Sequence, residues 1–295
     1  MSAVTLVLAA LVLLAAGPVL LADPSSAGGL AARYPGDVGI EKDPAVIFAD
    51  NFESGNLDRW DGGYGRDRAH VVHEPRDVHS GSSALQWVLP KGDSGGNIAK
   101  WLRPGYDTLY ARVYWKLAED WNVAAMHGWG ISAAAPGINV PGDAGKRADG
   151  RNKFCAMLDS PHTDLSCYVY HPEQKGQYGD HFRSGARLAP GRWYCVEAMQ
   201  KANAPGRRDG ELALWLDGKE VGHWTGLRYR DVPELKLNKV VLTLYIHQND
   251  RGENRCCYDD LVVATEYIGP QVSSATPSTG SVGAGPQTGP NGGNR

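Results

Sequence analysis

The chain has 295 residues, of which 42% are hydrophobic and 21% charged, an ordinary balance that excludes wholesale disorder and supplies one sizeable core. Thirty basic residues face 33 acidic ones, so the chain lacks the positive field with which nucleic-acid binders hold phosphates, and DNA and RNA are excluded as partners. With 37 Gly and 18 Pro, and with 9 Trp and 13 Tyr against only 4 Phe, it suits short strands joined by turns and carries flat rings with a polar handle.

Taken in chain order, residues 5–22 form a continuous apolar run with small residues at its end, which reads as a secretory signal peptide spanning 1–27. The run has no Lys or Arg before it and is interrupted by Pro18, so an uncleaved anchor displaying an envelope protein is the competing reading. Cleavage would leave an exported protein without a stable membrane span. Residues 28–44 mix Pro, Gly and Asp without periodicity and read as a linker, and the Gly/Ser/Pro-rich tail at 271–295 reads as disordered. Between them, residues 45–270 alternate apolar stretches with turn signals, and the expected strands are 46–51, 84–89, 108–117, 125–133, 153–158, 166–171, 193–201, 211–216, 219–224, 239–247 and 258–267. Asp217-Gly218 between two apolar runs is the chemistry of a tight hairpin. The fold class is therefore all-β: a jelly-roll β-sandwich of two antiparallel sheets in one domain.

An exported chain holds its five cysteines in an oxidising compartment. Cys155 and Cys167 lie on neighbouring predicted strands and could pair, leaving Cys195, Cys256 and Cys257; buried free thiols are the equal alternative.

Period-two alternation assigns faces. Tyr110, Arg112, Tyr114 and Lys116 share one side of their strand opposite Ala111, Val113 and Trp115, and that polar side is expected to lie outside the core. Tyr168 and Tyr170 share a face opposite Cys167 and Val169; Tyr245 and His247 share another, as do Glu197 and Lys201. If these strands line one concave sheet, they form a groove suited to an extended polar chain. Most tryptophans, Trp101 among them, fall on core positions, leaving Trp129 beside His127 as the stacking candidate.

Several segments resemble the polysaccharide lyase family 14 type of concanavalin A-like jelly roll, in its secreted bacterial form. They are Phe48 to Gly55 with Trp60, the Tyr110-Ala-Arg-Val-Tyr-Trp-Lys116 strand, Tyr168-Val-Tyr-His-Pro-Glu-Gln174, Gly191-Arg-Trp-Tyr-Cys-Val-Glu197, and the closing Tyr258 to Gly269. The resemblance implies a tyrosine pair at a catalytic centre, matched by Tyr168 and Tyr170, and a preceding lysine, matched by Lys146 or Lys153. A Ser-x-Arg pair that the family carries on the strand before is replaced by Cys155 and Met157.

β-Elimination on a uronic-acid polymer needs a base for the C5 proton, an acid for the leaving oxygen and cations or donors for the carboxylate. Tyr168 and Tyr170 are the candidates for proton transfer, with His127 or His247 as the alternative base and Lys153 beside them. Arg112, Tyr114, Lys146, Arg151, Trp129, Glu197, Tyr245 and His247 are the candidate substrate contacts. The expected partner is an anionic polysaccharide, bound by a monomer; a non-catalytic carbohydrate-binding module is the alternative, since the Ser-x-Arg pair is missing. No cofactor is required. Asp50, Glu53, Asp259 and Asp260, on the first and last strands, suit a structural calcium ion, with turn capping by the same carboxylates as the alternative.

Overall fold

The computed structural model describes residues 28–122, 126–140 and 144–273. The signal-peptide reading, residue 125 of one expected strand and most of the tail lie outside these residues. Among the described residues fifteen strands run β1 (Val46–Asp50), β2 (Gly62–Tyr64), β3 (Ala69–Val72), β4 (Ala84–Leu89), β5 (Gly95–Tyr106), β6 (Thr108–Leu117), β7 (His127–Ala134), β8 (Lys153–Asp159), β9 (Asp164–Tyr170), β10 (Asp180–Arg187), β11 (Trp193–Lys201), β12 (Gly210–Leu216), β13 (Lys219–Leu227), β14 (Leu237–Tyr245) and β15 (Asn254–Ala264).

They form two antiparallel sheets, the expected jelly-roll sandwich. The back sheet has the order β13-β12-β11-β6-β15-β4-β3, with β1 also paired to β15; the front sheet has the order β10-β9-β8-β7-β14-β5-β2. Alternating side chains from both sheets fill one core: Ala111, Val113 and Trp115 from β6 and Val196 and Ala198 from β11 meet Phe154 and Leu158 from β8, Cys167 and Val169 from β9, and Leu242 and Leu244 from β14. Burying each such aliphatic or aromatic side chain contributes about 1.5–3 kcal/mol. Among the described residues, no helix is long and apolar enough to cross a membrane.

Four strands were not legible from sequence. β2 and β3 are only three and four residues long. β5 opens on Gly95-Gly96 and contains Arg103-Pro104, which read as turn signals. β10, at the sheet's edge, has no fully buried residue and alternates half-buried with exposed positions. Residues 28–44 are not a free linker: three short helical turns, Leu30–Arg33, Pro35–Asp37 and Ile40–Lys42, lie against β15, burying Leu30 and Ile40 beside Val262, Ala264 and Ile268.

The polar side of β6 is outside the core, as alternation requires, but it is not a solvent surface. β6 and β11 belong to the back sheet, and their outer face is covered by both flanking segments. Leu30 and Ala31 donate backbone N–H bonds to Tyr267 and Ile268. Arg112, fully buried, donates to the Gly269 and Asp260 carbonyls and pairs with Asp37. Glu197 lies opposite it in register and accepts the Ile268 and Gly269 N–H groups at 2.8 Å each. Burial pushes the Glu197 carboxyl up to about 7, against the pull of those two N–H donors and of Arg112. Tyr114 stacks on His79 at 3.5 Å between centroids and accepts the Gln271 N–H. Arg112, Tyr114 and Glu197 thus clamp the chain's flanks to the back sheet and are not groove residues.

All five cysteines are buried and unbridged. Cys155 pairs in register with Tyr170, and Cys167 with Leu158. The two thiols face opposite sides of the front sheet, Cys167 in the core and Cys155 outside it, which excludes the Cys155–Cys167 bridge geometrically.

Candidate active site

The outer face of the front sheet carries the cleft. On β8 and β9 the side chains facing away from the core are Cys155, Met157, Asp159, Ser166, Tyr168 and Tyr170, and the register places Tyr168 beside Met157, and Ser166 beside Asp159. β10 adds His181 opposite Tyr168 and Arg183 opposite Ser166. A cavity of about 330 Å³ is lined by His127, Asp159, Tyr168, Tyr178, His181, Arg183, Tyr245 and His247 among others. Of the two tyrosines separated by one valine, Tyr168 projects into this hollow beside a cation, whereas Tyr170 shares its outward face but is buried and does not line the cavity.

His127 reaches that hollow because β7 is irregular. It shares its parity with Trp129, Ile131 and Ala133, all of which are in the core, so plain alternation would bury it. The register shifts between His127 and Gly130 against β8, and between Val241 and Tyr245 against β14. This bulge turns His127 outward opposite Asp159 and Tyr245 while Trp129 stays inside, fully buried. Trp129 is therefore a core residue and not a stacking platform.

Once outside, the imidazole lies between two phenol rings, 5.0 Å from Tyr168 and 5.5 Å from Tyr245 between centroids, and nearly parallel to both. Its Nδ1 lies 2.5 Å from the Asp159 carboxylate, which leaves Nε2 as the nitrogen available to the cleft. Burial pulls the His127 imidazolium down, but the charge and hydrogen bond of Asp159 outweigh it and raise its pKa above the ordinary value. Burial raises the Asp159 carboxyl in turn, opposed mainly by His127 and more weakly by His181. Nδ1 of His181 stands 3.7 Å from the other Asp159 oxygen.

The Tyr168 hydroxyl donates to the Tyr170 hydroxyl at 3.3 Å and accepts the Gly179 N–H at 3.1 Å. Burial, then the Tyr170 contact, pushes the Tyr168 phenol above its ordinary range, against the Gly179 donor. Tyr168 therefore holds its proton firmly across neutral pH. The Tyr170 hydroxyl accepts the Gly145 N–H at 3.1 Å, tying the loop between β7 and β8 over its ring.

Other expected contacts fall elsewhere. Lys153 is buried behind the pair, its Nζ 5.2 Å from the Tyr170 ring centroid, so it supports that ring instead of lining the cleft. Lys146 is exposed on the loop next to Gly145. Arg151 is exposed outside the cleft, where its charge acts on Asp231. Tyr245 and His247 do line the cleft.

The carboxylates on the first and last strands cap loops. Asp50 accepts the Phe52 N–H and the Trp60 indole; Glu53 accepts the Ser82 and Ser83 N–H groups; Asp259 accepts those of His79 and Ser80; Asp260 contacts His79 and the Ser80 hydroxyl. Among the described residues, no three His, Cys, Asp or Glu groups converge as metal ligands.

Asp159, Tyr178, His181 and Arg183 are cleft residues absent from the sequence-based set. The signal for two of them was Asp180-His-Phe-Arg183, whose alternation places His181 and Arg183 on one face.

No protein-family model and no curated protein matches the chain, whereas solved structures do match its fold. The marine PL-14 alginate lyase from Aplysia kurodai superposes with a TM-score of 0.61 at 14% identity, over 75% of this chain and 99% of that one. The endo-β-1,4-glucuronan lyase from the fungus Trichoderma reesei gives 0.56 at 19% identity, over 75% and 95%. An alginate lyase variant in complex with alginate tetrasaccharide gives 0.55 at 20%, over 73% and 89%. At these identities the likeness establishes the shared jelly-roll fold.

Proposed function

We propose that this protein is an exported polysaccharide lyase that cleaves a uronic-acid-containing polymer by β-elimination. The observation that carries the proposal is the His127–Asp159 pair set against Tyr168 in a cleft that also holds Arg183 and His181. In this reading His127 Nε2 takes the C5 proton of the sugar, with Asp159 fixing the ring and stabilising the imidazolium that forms. The electron pair released at C5 forms the C4–C5 double bond as the bond from C4 to the glycosidic oxygen breaks. Tyr168 gives its phenolic proton to that oxygen, and its 3.3 Å contact with Tyr170 is weak enough for the substrate oxygen to replace. Arg183 and His181 face the substrate carboxylate, whose charge grows as the proton leaves. The similar alginate and glucuronan lyases act on polymers of this class, and the apolar segment at 1–22 supports export.

The test is to incubate the purified protein with alginate, glucuronan and related uronates while following the ultraviolet absorbance of the unsaturated product. Silence on every substrate overturns the proposal. The second reading, a carbohydrate-binding module, is favoured by Cys155 and Met157 standing where the resembled family has its Ser-x-Arg pair; retention on a uronate polymer without chain shortening would establish it.

A further inference from the structure

A larger cavity, about 450 Å³, lies away from the cleft at the open edge of β5, walled by Phe48, Asp61, Lys100, Trp101 and Arg103. Strand β2 covers β5 only at residues 97–99, so the backbone from residue 100 onward is an edge. That edge is closed to an added strand: the Trp101 N–H is taken by an Asp61 oxygen at 2.7 Å, while Lys100 holds the other oxygen at 2.9 Å.

Trp101 sits on the same outer face as the cleft. It pairs with Lys239 of β14, whose outward-facing neighbours by alternation are Val241, Thr243 and the cleft residue Tyr245. At 37% exposure it is the most exposed tryptophan among the described residues, the others being half-buried or buried. Lys239 stands beside the indole, its Nζ 4.9 Å from the ring centroid, and Arg103 makes no hydrogen bond or ion pair among the described residues. Two cations, Lys100 and Arg103, thus stand beside one carboxylate, Asp61, which Lys100 already engages, while Lys239, only 6% exposed, backs the indole. An exposed indole with surplus positive charge has the chemistry to stack an apolar pyranose face and pair with a sugar carboxylate.

The loop following β7 separates the two places. Ile138 and Val140 pack over Ala99, Met157 and Val241, and the Val140 carbonyl accepts Lys239 Nζ at 2.5 Å. Four strand spacings from β9 to β5, at about 4.8 Å each, put Trp101 about 20 Å from Tyr168. A ligand reaching both must be a polymer several sugars long.

We infer that Trp101 and Arg103, with Lys239 held behind the indole, form a second, non-catalytic site for an acidic polysaccharide, which anchors the polymer beside the cleft. The inference rests on the proposed class of substrate but not on its cleavage. The experiment is affinity electrophoresis of the full chain in gels containing alginate or glucuronan, comparing wild type with Trp101→Ala, Arg103→Ala and, as a control cation on the back sheet, Lys219→Ala. Both exposed-site variants are expected to bind roughly tenfold more weakly, and Lys219→Ala to be retarded as wild type is. With active enzyme, the same two variants raise KM on polymer and leave kcat on short oligosaccharides unchanged. Wild-type mobility of Trp101→Ala and Arg103→Ala, or a wild type that neither polymer retards, overturns the inference. Retardation lost at positions 101 and 103 in a protein that cleaves nothing sustains this site while the lyase proposal fails. Cleavage with retardation indifferent to those positions does the reverse.

Discussion

Asp159→Asn isolates the charge behind His127. Asparagine keeps the size and one acceptor for Nδ1 but removes the carboxylate from a bond that now spans 2.5 Å. A hydrogen bond to a charged partner is worth about 1.5–3 kcal/mol. In the proposed mechanism that interaction strengthens as the imidazolium forms, so its loss falls on the transition state. At 1.36 kcal/mol per decade, the rate should drop about 10- to 150-fold. The pH profile gives the sign. His127 acts as base only when neutral, and Asp159 raises its pKa, so wild-type activity rises with pH through that raised value. With asparagine, the raising influence goes and desolvation remains, so the acid limb moves to lower pH even as the plateau falls. The assay is the unsaturated-product absorbance across pH, with thermal unfolding as the check on folding. Wild-type turnover with an unmoved acid limb would show that the His127–Asp159 pair takes no part in proton transfer.

Three further outcomes are expected. Tyr168→Phe removes the proposed acid and should lower kcat by about 10²–10⁴ with little change in KM, as read from initial rates on polymer. Glu197→Gln tests the back-sheet clamp: a folded pKa of about 7 against an ordinary 4.5 means that stability present below about pH 4.5 is lost as pH rises through 7, about 3 kcal/mol in all. Urea unfolding of Glu197→Gln should lose that slope, so that the variant compares better with wild type at about pH 8 than at about pH 5. Gly130→Ala would place a methyl 2.4 Å from the Ala156 carbonyl oxygen and 2.5 Å from the Met157 sulfur; chemical unfolding should show a loss of about 1–3 kcal/mol.

The sandwich was legible because apolar and polar residues alternate along strands such as β6, β9 and β11, and that alternation survives in the core. The shared outward face of Tyr168 and Tyr170 was legible for the same reason, although only Tyr168 lines the cleft. Alternation did not say which sheet a strand joins, and so the polar faces of β6 and β9 looked equivalent. One is covered by the chain's own flanks, with Arg112 and Glu197 spent on holding them; the other is open. Nor could alternation foresee an interruption of itself. The extra residue in β7 reverses the relation between His127 and Trp129, which the sequence places on one face. Trp101 was hidden because its strand begins with two glycines and contains a proline, and so did not read as a strand at all.

The covered back of the molecule also sets its orientation toward its surroundings. Residues near 30 and near 270 lie side by side, joined by backbone bonds such as Gly36 N–H to the Val272 carbonyl, on the layer turned away from the hollow. A reporter inserted next to residue 28 or residue 273 would therefore sit behind the sandwich and leave the mouth of the cleft unobstructed.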